Sequence, residues 1–165
     1  MVRLLFSTLL VLVTTQVKAE GEPWIEDPAR AMEIARASGR PVLLHFWNEQ
    51  CPPCRRVETF VFTNGQVQES LSRNFVAVKV NTTEHPEWVR RYRVERIPTD
   101  VIVHADGRQI AQSQSPLNSR SYLAMLDQVS AEAAKPNAGS QIALARALAE
   151  NDPRALPPLP TGSQY

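Results

Sequence analysis

The stretch FWNEQCPPCRR, residues 46–56, holds both cysteines of the chain, Cys51 and Cys54, three apart around two prolines. It overlaps an apolar run, PVLLHFW at 41–47. A nearly unbroken apolar run of this length predicts a central strand buried on both faces. Pro52 and Pro53 then predict the first turn of a helix, where missing N–H donors are tolerated. The pair therefore falls where a buried strand gives way to a helix, with Cys51 at the N-cap and Cys54 inside the first turn. Three chemistries compete for such a pair: a metal clip, a structural staple and a redox couple.

Outward from this junction the chain alternates helices and strands. Upstream, Asp27 caps a helix that opens on Pro28, carries Ala31, Ile34 and Ala35 on one face and ends at Gly39. Downstream, Val57, Phe60 and Val61 fall at helical spacing, Asn64-Gly65 breaks the pattern, and Val67 and Leu71 predict a further short helix. Residues 75–80 read as a strand rich in β-branched side chains, and 84–92 as a helix with Trp88, Val89 and Tyr92 facing inward. After Ile97-Pro98-Thr99 comes a strand over 100–104, an Ala105-Asp106-Gly107 turn and a weaker strand near 108–112, a hairpin. Asn118 or Ser119 caps a last helix carrying Tyr122, Leu126 and Val129. This order predicts a compact α/β domain over about residues 22–131.

The flanks read differently. Residues 1–19, MVRLLFSTLLVLVTTQVKA, have the pattern of a signal peptide: Arg3, an apolar stretch over 4–13 and a small-residue cleavage site ending at Ala19. The apolar stretch is well short of the roughly 20 residues that span a bilayer. The expectation is export, to the periplasm or the medium, with membrane attachment only if the segment is retained. Residues 132–165 form an Ala- and Pro-rich tail, with a short helix expected over 141–150 and an extended solvated end, PRALPPLPTGSQY.

The balance of 18 basic against 17 acidic side chains argues against nucleic acid as a partner, which needs a more basic footprint. Arg90, Arg91, Arg93 and Arg96 cluster, but Glu87 and Glu95 interleave with them. Asn81-Thr82-Thr83 matches a glycosylation acceptor, meaningful only in a eukaryotic secretory pathway. Trp24 and Trp88 are read as packing, Arg55 and Arg56 as solvated helix residues, and the domain as a monomer.

A disulfide closing so short a loop constrains little of the unfolded chain, which weakens the staple. Zinc wants four ligands, and a set made of Cys51, Cys54, His45 and His85 follows no standard spacing. Covalent haem attachment needs histidine straight after the second cysteine, where Arg55 stands. Redox exchange remains. A helix N-terminus stabilises a thiolate at the first cysteine, which attacks a disulfide, and the second cysteine resolves the mixed product.

Two motifs sharpen this. Phe46-Trp47-Asn48-Glu49-Gln50-Cys51-Pro52-Pro53-Cys54 and, later, Ile97-Pro98-Thr99 before a strand together resemble the signatures of the thioredoxin superfamily. The resemblance covers about residues 24–130. VETFVFTNGQVQESL (57–71) and KVNTTEHPEWVRRYRVERIPT (79–99) are most similar to the C-terminal thioredoxin domain of the bacterial thiol:disulfide interchange reductase, with secreted thioredoxin-like proteins equally near.

The resemblance implies a central mixed β-sheet flanked by helices, ending in a hairpin and a helix. It implies a redox-active disulfide in which Cys51 is the nucleophile and Cys54 the resolving thiol. Trp47 maps to an aromatic packed beside them. Pro98 maps to a cis proline facing the pair, where the Ile97 backbone pairs with an incoming substrate strand. No cofactor is implied. The partners are proteins bearing disulfides or thiols, and an upstream thiol electron donor.

The sequence departs from the family twice. Gln50 stands where a tryptophan is common, and His45 stands where many members bury an acid that assists proton transfer at the resolving cysteine. For His45 three readings stay open: a proton relay, a cation favouring the thiolate, and a neutral core histidine bonded to the backbone. The function expected is an exported thiol–disulfide oxidoreductase, working as a reductase or electron relay and including cytochrome maturation in its scope. The alternatives are a dithiol oxidase or isomerase, and a binding module that docks partners or holds copper through Cys51, Cys54 and His45.

Overall fold

A computed structural model describes residues 23–135. The signal peptide expected over 1–19 and the helix expected over 141–150, with the rest of the tail beyond 135, lie outside the described residues. Five strands form one sheet: β1 (Trp24–Ile25), β2 (Val42–Trp47), β3 (Val76–Asn81), β4 (Thr99–Val103) and β5 (Gln109–Gln114). The sheet order is β1-β3-β2-β4-β5, with β1 and β2 parallel to β3, and β4 antiparallel to both β2 and β5. Helices α1 (Pro28–Ser38), α2 (Pro52–Val57), α3 (Gly65–Asn74), α4 (Pro86–Arg91) and α5 (Ser119–Ala133) connect and cover it.

The central strands β2, β3 and β4 are buried on both faces, which is why β2 reads as continuous apolar sequence. Leu44 and Phe46 face a core shared with Ala31, Met32 and Ala35 of α1, and with Val78 and Val101. Leu43 faces the opposite core, built with Val57, Val61, Val67, Leu71, Ile102, Tyr122 and Leu126. Successive side chains of a strand alternate between faces. His45 and Trp47 therefore belong with Leu43, on the face under α2, α3 and α5.

The capping signals act as read. The Asp27 carboxylate accepts from the N–H groups of Ala29 and Arg30, and Gly39 closes α1 in the left-handed region at φ 71°. Asn64 caps α3 and Asn118 caps α5.

Two features escaped the sequence reading. β1 is two residues long and has no periodicity to detect. The helix expected through Val57, Phe60 and Val61 is α2 followed by a π-helical turn, Glu58–Phe62. The wider turn shifts the helical phase. Phe60 consequently points to solvent at 63% exposure, while Phe62 turns into the core.

Candidate active site

β2 delivers the chain to the helix that carries both cysteines. Cys51 is the N-cap of α2 in extended backbone, and Pro52 and Pro53 fill the first turn. Its Sγ accepts a hydrogen bond from the Cys54 N–H at 3.2 Å. The two sulfurs are joined as a disulfide, with Cα atoms 5.3 Å apart, inside the usual range. Cys51 lies at the rim of the buried region and Cys54 beneath it. The neighbouring Arg55 is tied back to the preceding loop, its Nη1 donating to the Glu49 carbonyl at 2.9 Å.

The segment before β4 faces this junction. The Ile97–Pro98 peptide is cis. The Pro98 carbonyl accepts from the Ser115 N–H at 3.1 Å, fastening the loop to the end of β5. A groove of about 320 Å³ runs between them, lined by Pro53, Pro98, Gln114, Ser115, Pro116 and Leu117. Pro53 stands between the two cysteines, so the groove opens at the disulfide loop itself. Ile97 is half-buried against the α1-side core. Trp47 lines a second, polar cavity of about 270 Å³ with Glu26, Glu49, Lys79, Asn81, Glu84 and His85.

His45 is fully buried, and its Nδ1 lies 2.7 Å from Asp100 Oδ1. The reading of His45 as a histidine bonded to the backbone is thus replaced: its partner is a carboxylate, equally buried, directly opposite it in the β2–β4 register. Ser115 Oγ stands 3.4 Å from the same Nδ1. His45 Nε2 and Asp100 Oδ2 have no hydrogen-bond partner in the protein.

The rings of Trp24 and Phe62 pack on the imidazole, at centroid distances of 5.9 and 4.8 Å. On the other side of β2, Lys79 is the register partner of His45, and it pairs with Glu58 at 3.0 Å. Tyr122 closes the layer from α5, edge-on to Phe62. Burial, followed by the nearby Asp100 carboxylate and the Glu58 charge, pushes the Tyr122 hydroxyl well above its ordinary 10.0.

Asp100 is the site residue that sequence reasoning missed. It was visible as an acid inside an otherwise apolar strand, TDVIV, a buried polar position that calls for a partner. Its partner lies 55 residues away and shows only in the strand register.

The remaining candidates separate. Asn81 is 7% exposed, and its amide donates to Glu49 and Glu84, so it is not displayed as a glycosylation acceptor. Arg91 stacks on the rings of Trp88 and Tyr92. Among the described residues no three His, Cys, Asp or Glu side chains converge as a metal site, so the copper alternative rests on the two sulfurs alone.

Comparison with known proteins decides the family. Residues 28–130 match the thioredoxin-like domain family, well over half of the chain. The chain belongs to this family. Thioredoxin 1 of Synechococcus elongatus is 36% identical over 86 residues, covering 52% of this chain and 76% of that protein. The thiol:disulfide interchange protein DsbD of Yersinia pestis is 25% identical over 96 residues, covering 56% of this chain. The match spans only 16% of DsbD. Among solved structures, a thioredoxin from Thermus thermophilus superposes with a TM-score of 0.59 at 29% identity, over 67% of this chain and 88% of that one. A thioredoxin-like mixed sheet with flanking helices is therefore the fold of this domain.

Proposed function

We propose that this chain is an exported thiol–disulfide oxidoreductase that reduces, or relays electrons to, disulfides of protein substrates. One observation carries the reading. The disulfide sits at a helix N-cap, with Cys51 Sγ accepting the Cys54 N–H, and borders a groove shared with the cis Pro98 loop.

Each part has a task. The reduced Cys51 is the nucleophile: an amide aimed at its sulfur favours the thiolate over the thiol. The thiolate attacks a substrate disulfide, forms a mixed disulfide and releases one substrate thiolate. Cys54 attacks Cys51 Sγ, re-forms the internal disulfide and releases the second. Two electrons pass from the dithiol to the substrate. A substrate strand enters the groove beside Pro98 and pairs with the backbone of Ile97, and Trp47 packs the strand end from which the cysteine loop departs. An upstream thiol donor regenerates the dithiol. The apolar leader over 1–19 supports export, and the similarity to thioredoxin and to part of DsbD supports the reducing direction.

The test is reduction of insulin by dithiothreitol with the purified chain as catalyst, together with the potential of the Cys51–Cys54 couple. Catalysis that Cys51→Ser abolishes, and a potential below about −200 mV, are expected. A potential near about −120 mV, that of a dedicated oxidant, would reverse the direction. Absence of turnover would leave a docking module.

A further inference from the structure

Helix α4 ends in an unusual way. The Val94 N–H donates to the Val89 carbonyl at 3.0 Å and the Arg93 N–H to the Arg90 carbonyl at 3.3 Å, the bonding of a helix closed by a left-handed residue. That residue is Arg93, at φ 50°, the one non-glycine residue with positive φ among those described. Glycine is the unstrained choice at such a place, and at the end of α1 the chain uses it, as Gly39. An arginine held in so restricted a conformation points to a task beyond ending a helix.

Arg93 lines an open cavity of about 430 Å³, together with Arg96 from the loop after α4 and Gln112 and Gln114 of β5. The Ser113 hydroxyl turns to Met125 of α5, so Gln112 and Gln114, which alternate with it, project from the other face of the strand, toward the arginines. The Thr99 hydroxyl donates to the Arg96 carbonyl at 2.8 Å and fastens that residue to the start of β4. Neither Arg93 nor Arg96 enters an ion pair among the described residues. Glu95, the one acid of the lining, pairs with neither, so the cavity keeps a net positive charge. Two guanidinium forks and two side-chain amides are the donors that a carboxylate takes.

We propose that Arg93 and Arg96 form an acid-binding specificity site, which selects protein substrates carrying Asp or Glu in the segment that flanks the target disulfide. The proposal deepens the exchange reading above and rests on it. Gln114 lines both this cavity and the groove between Pro53 and Pro98, so the two hollows meet at one side chain. β5 is the edge strand of the sheet, and no further strand covers the junction. A substrate segment lying beside Pro98 therefore has the arginines within reach of its neighbouring residues.

The site acts on binding and leaves the chemistry to the cysteines. A carboxylate entering the cavity receives paired N–H groups from a guanidinium, the geometry for which arginine is suited and lysine is not. The Gln112 and Gln114 amides supply further donors. No bond is made or broken there, and Cys51 attacks whichever disulfide is presented. The gain is in occupancy of the encounter complex, so it falls on KM rather than on kcat. Charge attraction across the opening also steers an acidic segment toward the groove and is screened by salt.

The experiment uses the full chain, dithiothreitol as reductant and two synthetic peptides, each closed by one disulfide. The peptides are identical except that the residues flanking the cysteines are Glu in one and Gln in the other. Catalysed kcat/KM is measured at pH 7 for the wild type, Arg93→Gly, Arg96→Gln, the double variant and Arg73→Gln. The wild type is expected to favour the Glu peptide about three- to tenfold, as two exposed ion pairs allow, with the difference in KM. Each single variant at the cavity should lower that ratio, and the double should abolish the preference. Raising salt from about 0.1 M to about 1 M shortens the screening length from about 10 Å to about 3 Å and should shrink the ratio as well. Arg73 precedes β3 at the end of the sheet away from the cysteines, so Arg73→Gln should keep the wild-type ratio. Arg93→Gly relieves the left-handed strain and should unfold at the same or a higher urea concentration than the wild type, so its loss of selectivity is separable from misfolding. Equal kcat/KM for the two peptides in the wild type, a preference that survives in the double variant, or an equal fall in Arg73→Gln would overturn the proposal. A wild type that reduces neither peptide removes the exchange reading and this site with it, whereas turnover of both at one rate removes only the site.

Discussion

Replacing the buried pair by apolar residues tests what it does for stability, independently of catalysis. His45 and Asp100 are both at 0% exposure and meet at 2.7 Å, with Phe62 and Trp24 on the imidazole, Tyr122 behind Phe62, and the Lys79–Glu58 pair and Ser115 alongside. In His45→Leu, Asp100 keeps a carboxylate with no partner, since its other oxygen already lacks one. In Asp100→Val, the imidazole Nδ1 keeps only the long contact to Ser115. Removing one member of a buried pair costs about 3–5 kcal/mol. With a urea m-value of about 1.5 kcal/mol/M, each single variant should lose about 2–3 M in unfolding midpoint. The double variant places Leu and Val opposite each other across β2 and β4, where β-branched and aliphatic side chains pack well. It should match the wild type or exceed it by about 1–4 kcal/mol. Equilibrium urea unfolding of the oxidised protein, followed by circular dichroism, yields all four stabilities and closes a double-mutant cycle. A double variant as unstable as the sum of the singles would show that the two residues act separately, and the account of a coupled pair would fall. A stable double variant with slow disulfide exchange would show that the pair is kept for chemistry rather than for folding.

Two further outcomes can be checked directly. Asp27→Ala removes the acceptor of the Ala29 and Arg30 amides at 2.9 and 3.2 Å and should cost about 1 kcal/mol in urea unfolding, largely restored by Asp27→Asn. Tyr122 is held protonated by burial and by the Asp100 charge, so its contribution is complete below pH 10.0, the ordinary value of the hydroxyl. It is lost as pH rises further, because the unfolded chain releases that proton first. Stability measured above pH 10 should therefore fall less steeply with pH in Tyr122→Phe than in the wild type, and equal slopes would contradict this.

The helix caps, the buried central strand and the placement of the cysteines were legible because each depends on residues within one or two turns. Asp27, Gly39, Asn64 and Asn118 act on their own backbone neighbours, and the run 41–47 carries its burial in its composition. Phe60 was misplaced because a π turn alters the period on which helical spacing relies. The strand β1 was missed because two residues form no pattern, and their pairing with β3 is a matter of tertiary contact.

By itself the sequence determined the family, the sheet-and-helix order and the position of Cys51 and Cys54 at a helix start, because these follow from short-range rules and a contiguous motif. It also showed that a histidine stands where an acid was expected. Only the tertiary structure decided what that histidine is. The antiparallel register of β2 and β4 sets Asp100 opposite His45, and the end of β5 brings Ser115 to the same nitrogen. Those partners are 55 and 70 residues away along the chain. Strand pairing brings them within hydrogen-bonding distance, and the complete burial of His45 and Asp100 keeps bulk solvent from competing for the contact.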